Sequence, residues 1–148
     1  MKQKVLAYIT SGTRLLIFRH THFPQAGIQV PAGTIKPDEP PYQAVLREAE
    51  EETGLKNLIV KRFLGELLLD MTGFGLNEFH QRRFYHLLAS DELPETWRHY
   101  ELDPSDGSPA PIEFEFFWAQ LPDGIPELSG NQGALIPELL RGLDRPKL

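Results

Sequence analysis

Cysteine is absent from the 148 residues. That excludes thiol nucleophiles, disulfide staples and cysteine-ligated zinc or iron–sulfur sites. Basic side chains are in the minority, 15 Lys and Arg against 21 Asp and Glu, for a formal net charge of -6. Such a chain is not built to wrap a polyanion, so its charge does not point to nucleic acid as a partner. No apolar run approaches the ~20 residues that span a bilayer, so no membrane segment is expected. Met1-Lys2-Gln3-Lys4 leads into a short apolar run, Val5 to Ile9, without a small-residue cleavage site. The expectation is a cytoplasmic protein with no signal peptide. What remains is ordinary globular composition, 41% hydrophobic and 24% charged. The length suits one domain, residues 1–148.

Val5 to Thr10 is rich in β-formers and ends at Ser11-Gly12, a turn signal; Leu15 to Phe18 is a second short run. The two predict a hairpin. Arg19 to Gly27 reads as a loop, and Ile28 to Pro31 as an extended piece before Ala32-Gly33. Tyr42 to Thr53 predicts a helix, with Pro40-Pro41 at its start, Asp38 as its cap and Gly54 as a left-handed stop. Leu58 to Leu69, broken by Gly65, predicts one bent strand or two. A glycine-bearing turn from Thr72 to Asn77 follows, then a strand from Phe79 to Ala89. Ser90 to Pro111, rich in proline and acid, predicts a long loop. Ile112 to Leu121 predicts a strand, with Phe114, Phe116, Phe117 and Trp118 as packing residues. Asn131 to Arg141 predicts a second helix that stops at Gly142 and turns Leu135, Ile136, Leu139 and Leu140 to one face. Strands on both sides of a central helix, with a helix at the end, imply an α/β fold: a mixed sheet covered by helices.

The informative segment runs from Gly33 to Leu55, GTIKPDEPPYQAVLREAEEETGL. On a helical wheel Glu48, Glu51 and Glu52 share a face roughly 100° wide. Tyr42, Val45, Leu46, Ala49 and Thr53 form a separate apolar stripe, while Gln43 and Glu50 face water. Arg47 falls beside Glu51, and Ala44 leaves space inside the acidic face. Carboxylates crowded together repel, and more so when half buried. Keeping them there implies a compensating cation, and carboxylate oxygens suit Mg2+ or Mn2+. A Glu-rich turn taken alone is also what a solvated helix face looks like. The neighbouring residues decide between the two.

Gly33, Glu39, Arg47, Glu48, Ala49, Glu51, Glu52, Gly54 and Leu55 resemble the signature of the Nudix hydrolases, G-x5-E-x7-R-E-U-x-E-E-x-G-U, with U a bulky apolar residue. Both spacings fit, and Ala49 is the one soft departure, smaller than the usual U residue. The resemblance implies an α/β/α sandwich with a central mixed sheet. It implies hydrolysis of a diphosphate bond in a nucleoside diphosphate linked to another group, with Mg2+ or Mn2+ and an activated water. On that resemblance Glu48, Glu51 and Glu52 bind metal, Glu52 foremost, and Glu48 is a candidate base. Arg47 orients the glutamates, Glu39 assists through a metal-bound water and the Gly33 carbonyl reaches the metal. Gly54 reads as a structural cap. The alternative is a non-catalytic nucleotide-binding sensor of the same fold; such modules commonly lose motif glutamates or the arginine, and here all are present. Dimerisation, common in the family, is left open by the sequence.

Other signals are weaker. His20 and His22 form a His-x-His pair without a third nitrogen ligand nearby, which reads as polar loop. Arg19 and Arg82-Arg83 are candidates to meet phosphate, and Trp97 to Tyr100 to stack on a base or pack locally. Glu92, Glu95 and Glu101 are candidates for an extra loop carboxylate at the site. The substrate stays open. Pro31-Ala32-Gly33 has a form seen in nucleotide-sugar enzymes, but the downstream proline of ADP-ribose enzymes is missing, with Asp70 in its place.

Overall fold

The computed structural model describes residues 1–90, 92–101 and 111–143. β1 (Lys2–Ser11) and β2 (Arg14–His20) form the expected hairpin. β3 (Ala32–Thr34) precedes α1 (Pro41–Thr53). β4 (Ile59–Asp70), β5 (Phe79–Leu88), β6 (Trp97–Glu101), β7 (Ile112–Gln120) and α2 (Ile136–Leu143) follow. One mixed sheet results, in the order β4-β5-β1-β2-β7-β6, with β3 added to β1. β1 and β5 are parallel; the other pairs are antiparallel.

Period-two alternation along β1 gives the sheet its two faces. Val5, Ala7 and Ile9 join Ala44, Val45 and Ala49 of α1 in one buried cluster. Leu6 and Tyr8 join Leu139 of α2 in the other. The helices therefore cover opposite faces, as an α/β/α sandwich requires. β1 pairs with β2 only near their turn, at Thr10↔Leu15 and Ser11↔Arg14. Further down, β1 pairs with β3 through Lys4–Thr34, Val5–Gly33 and Leu6–Ala32, while Phe18 of β2 bridges to Gln29. The two strands thus part, and a cleft lies where they do.

Four expectations need correction. Asp38 does not cap α1. Pro40 occupies the cap position with no side-chain bond, and Asp38 sits two residues earlier in a left-handed conformation. Pro41 opens the helix and holds the preceding Pro40 extended, and the N–H groups of Gln43 and Ala44 bond to the Pro40 carbonyl. The long loop contains β6, because Trp97 stacks on Phe116 of β7 at 5.2 Å and its Nε1 donates to Thr53 O at 2.9 Å. The rest of that predicted loop, Asp91 and residues 102–110, lies outside the described residues. The second helix is shorter than expected, starting at Ile136 with Gly142 inside it. Tyr8 explains the late start: its hydroxyl donates to Gln132 O at 2.6 Å and accepts from Leu135 N at 3.2 Å, drawing both groups out of a helical ladder. Finally, Tyr42 is exposed, outside the apolar stripe.

Gly65 marks the bend in β4, beside a register shift and with Leu135 packed close above it. Trp118 is only partly buried, its Nε1 on Pro94 O and the Arg14 guanidinium over its ring.

Candidate active site

α1 begins where a proline-rich turn leaves β3, so Gly33 and the Glu48 turn of the helix lie directly against each other at the edge of the cleft. Glu48 and Glu52, one turn apart, are buried to 2% and 6% exposure. Their ridge is the part of α1 that faces β3, with Ala44, Val45 and Ala49 packing below it. Glu52 accepts from Ala32 N at 3.4 Å. Glu101, from the end of β6, is equally buried. One carboxylate oxygen from each of Glu48, Glu52 and Glu101 lies within 4.8 Å of the others.

Glu51 is separated from that group. It is 46% exposed and meets Arg47 at 3.3 Å on the rim. The wheel put all three glutamates on one face; the helix instead turns two inward and leaves the third at the edge.

Arg47 is the hub behind the cluster. Its Nε and Nη2 grip both Glu39 oxygens at 2.8 and 2.9 Å, in a fork-on-fork pairing. Its Nη1 donates to Glu48 Oε1 at 2.8 Å, and Nη2 also reaches Thr34 O at 3.2 Å. Glu39 is consequently held well below the usual carboxylate range, to about 2, chiefly by Arg47. Burial pushes Glu48 the other way, upward, despite the pull of Arg47. Glu39 thus faces the arginine and stands behind the cluster.

Glu48 spends one oxygen on Arg47. The other, Oε2, is the one buried side-chain polar atom without a hydrogen-bond partner among the described residues. Gly33 lies directly against it: a Cβ there would overlap the Glu48 carboxyl group. An orphaned, desolvated carboxylate oxygen costs stability unless something occupies its lone pairs. Three acidic oxygens converging in one place, with no protein donor for that atom, fit a hard divalent cation such as Mg2+ or Mn2+.

Gly33, Glu52 and Glu101 open onto a cleft of about 190 Å³. Lys4, His80 and Arg82 also line it, with the apolar side chains of Leu6, Phe18, Ile112 and Phe114. Lys4 bonds Thr34 Oγ1 at 2.8 Å and its charge also acts on Glu48. Sequence reading missed Lys4, His80 and Gln132 as cleft residues. The available signal was a lysine at an inward position of a strand whose next inward residues are Leu6 and Tyr8.

Of the three candidate loop carboxylates, Glu101 joins the cluster; Glu95 pairs with Arg14 at 2.5 Å, and Glu92 is exposed. Of the two histidines, His20 lines the cleft, edge-on to Phe114. His22 is exposed beside Glu113 at 3.7 Å. Arg19 lies over Phe117 and pairs with Glu115, away from the cluster.

The sheet order, the helix on each face and the acidic ridge opposite a glycine define a Nudix-type α/β/α hydrolase fold. The family model for the NUDIX domain matches residues 2–133, and the chain belongs to that family. Solved structures of similar fold include a MutT NUDIX hydrolase from Burkholderia pseudomallei, 23% identical with a TM-score of 0.64, covering 93% of this chain and 97% of that one. The MutT protein from Methanosarcina mazei Go1 is 17% identical, with a TM-score of 0.67 and coverage of 97% and 96%. An Ap4A hydrolase from C. elegans is 16% identical, with a TM-score of 0.64 and coverage of 97% and 98%. A sequence comparison with curated proteins finds no match. Among the described residues no helix is long and apolar enough to cross a membrane.

Proposed function

We propose that this chain is a Mg2+- or Mn2+-dependent pyrophosphohydrolase that cleaves a diphosphate bond in a small nucleotide. The observation that carries the reading is the orphaned Oε2 of buried Glu48, set among the oxygens of Glu52 and Glu101. Glu48, Glu52 and Glu101 would hold the cation, with the Gly33 carbonyl close by and Glu51 at the rim for a second ion. When bound, the cation would lower the pKa of a water and offset charge on the phosphates.

The chain's own residues have separate tasks in this reading. Arg47 fixes the rotamer of Glu48 and keeps one of its oxygens occupied, so only Oε2 faces the site. Glu48 is the candidate base for the attacking water, through a lone pair of Oε2 that the cation would leave open. That water forms a P–O bond as the bridging P–O bond breaks, and the departing phosphate leaves with the bridging oxygen. Lys4 and Arg82 face the substrate's negative charge, and the apolar side chains exclude bulk water from it.

The fold neighbours do not narrow the nucleotide: one is named for Ap4A and others as MutT proteins. Nucleoside triphosphates, dinucleoside polyphosphates and nucleotide sugars are all compatible with a diphosphate site. The test is a nucleotide panel with Mg2+ or Mn2+, reading phosphate after coupling to phosphatase. Turnover of at least one member, lost by a hundredfold or more in Glu52→Gln, is expected. Tight nucleotide binding with no turnover in either metal would overturn the enzyme in favour of a sensor.

A further inference from the structure

Eight arginines fall within the described residues, and seven of them meet a carboxylate. Arg14, Arg19, Arg47, Arg62, Arg83, Arg98 and Arg141 each have an ion pair at 3.7 Å or less. Arg82 alone meets no carboxylate among the described residues, in a chain with an excess of acids. It is also deeply buried, at 7% exposure. The protein gives its guanidinium one strong acceptor, Gly130 O at 2.6 Å from Nη1, and a weak contact from Nη2 to the Met71 sulfur at 3.9 Å. Burial lowers its pKa, but a guanidinium starts so high that it stays charged at neutral pH.

A buried cation without an anion is expensive, because desolvation is not repaid by any partner. Its place in the sheet says where the partner comes from. Arg82 stands opposite Lys4 in the parallel β1–β5 register, so both side chains leave the same face of adjacent strands. Both line the cleft that Glu52 and Glu101 also line. The cleft therefore carries cations as well as carboxylates. A polyphosphate chain is the ligand whose charge suits the cations while its reacting phosphate lies at the carboxylates. An arginine fork also matches the spacing of two phosphate oxygens.

We propose that Arg82, with Lys4 beside it, binds the phosphate group of the nucleotide that lies away from the acidic cluster, supplying the anion that no described residue gives this guanidinium. The assignment deepens, and for its place in catalysis rests on, the pyrophosphohydrolase reading. Arg82 is a substrate-binding residue in this account, and Gly130, through its carbonyl, positions it.

The test uses inorganic pyrophosphate as probe, with the full chain in EDTA, so that binding is read without metal and without turnover. The parent is expected to bind it saturably, and the Arg82 Nε–H signal of 15N-labelled protein is expected to shift as it does. Arg82→Gln should weaken binding by about ten- to a hundredfold, the range for a charge-assisted contact, and Arg82→Lys should recover part of it. With a turned-over nucleotide, Arg82→Gln should raise KM by a similar factor and change kcat far less. A role confined to holding Gly130 would lower the melting temperature and leave pyrophosphate affinity alone; that result overturns the proposal. So does an Arg82 Nε–H signal in the parent that pyrophosphate does not move, a readout that stands even if Arg82→Gln fails to fold. Arg82-dependent pyrophosphate binding by a protein that cleaves no nucleotide would sustain this inference and sink the hydrolase reading. Turnover with a parental KM in Arg82→Gln would do the reverse.

Discussion

Glu48 occupies the space a side chain at position 33 would need: a Cβ built on Gly33 overlaps the Glu48 carboxyl group. The backbone of β3 and the acidic ridge of α1 touch at this point, and only glycine permits it. Gly33→Ala must therefore displace Glu48 or push β3 from α1. Overpacking of a tight site costs about 1–3 kcal/mol, and a shift of about 1 Å in a catalytic group costs about a hundredfold in rate. The expected outcome is a folded protein with activity reduced at least a hundredfold, checked by thermal unfolding alongside turnover.

Arg47 organises the cluster through geometry that lysine cannot copy. One guanidinium grips both oxygens of Glu39, one of Glu48 and the rim carboxylate of Glu51. An ammonium group keeps the charge and loses the fork. Arg47→Lys is expected to cost about 1.5–3 kcal/mol, the range for losing hydrogen bonds to charged groups, and to lower kcat more than it raises KM. A loss of stability below 1 kcal/mol in urea unfolding would show that Glu39 and Glu48 do not depend on the fork.

The site was partly legible in the sequence because its ligand ridge is local. Glu48, Glu52 and Arg47 lie on one helix, and Gly33 and Glu39 precede it closely. Glu101 was one of several candidates and could not be singled out, since its position depends on β6 pairing with β7 and on Trp97 reaching Thr53, 44 residues away in sequence. The sheet order was hidden for the same reason. A helical wheel also cannot tell which edge of an acidic face meets a strand, so Glu51 and Glu52 looked equivalent. Arg82 was a phosphate candidate that could not be told from Arg83 or from a solvated strand end, because its contacts with Gly130 and Met71 do not show in the pattern of β5.

His86 gives the fold a pH dependence of its own, apart from the cluster. Its Nε2 shares a hydrogen bond of 2.7 Å with Thr10 Oγ1 in the buried β1–β5 seam. Burial, helped by Arg62 and Lys61, pulls its pKa from 6.5 down to about 4. Between those values the unfolded chain holds more protons, so stability rises with pH. The contribution is complete above pH 6.5 and is lost as pH falls towards 4, for about 3 kcal/mol in all. Urea unfolding of the parent is expected to lose about 2 kcal/mol between pH 7 and pH 5 from this group. In His86→Gln that part of the slope should vanish. An imidazole resonance of His86 that titrates near 6.5 in the folded protein would contradict the assignment.

Gly54 couples the end of α1 to the strand that carries Glu101. Its φ of 77° is left-handed, and a Cβ there would meet the His99 ring of β6 at 2.7 Å. His99 in turn bonds Glu51 O at 3.0 Å. Gly54→Ala is expected to destabilise by about 1–2 kcal/mol from backbone strain alone, and to lower activity by moving β6. Gly75, also left-handed but with open space around it, is the control. Gly75→Ala should show the strain without the loss of activity, as unfolding and turnover measured together would reveal.

Glu101 comes from outside the motif, so its role is separable from the helix. If it completes the cation site, removing its charge should weaken metal binding while leaving Arg47 and its partners intact. Metal that binds only the folded state stabilises by about 2.7 kcal/mol at a hundred times its Kd. For a chain of this size that corresponds to about 5–10 °C in melting temperature. The parent is expected to show such a rise in Mn2+, reversed by EDTA. Glu101→Gln keeps the shape of the side chain and should lose most of the rise. A full metal-induced rise in Glu101→Gln would mean that the two helix glutamates hold the ion without β6.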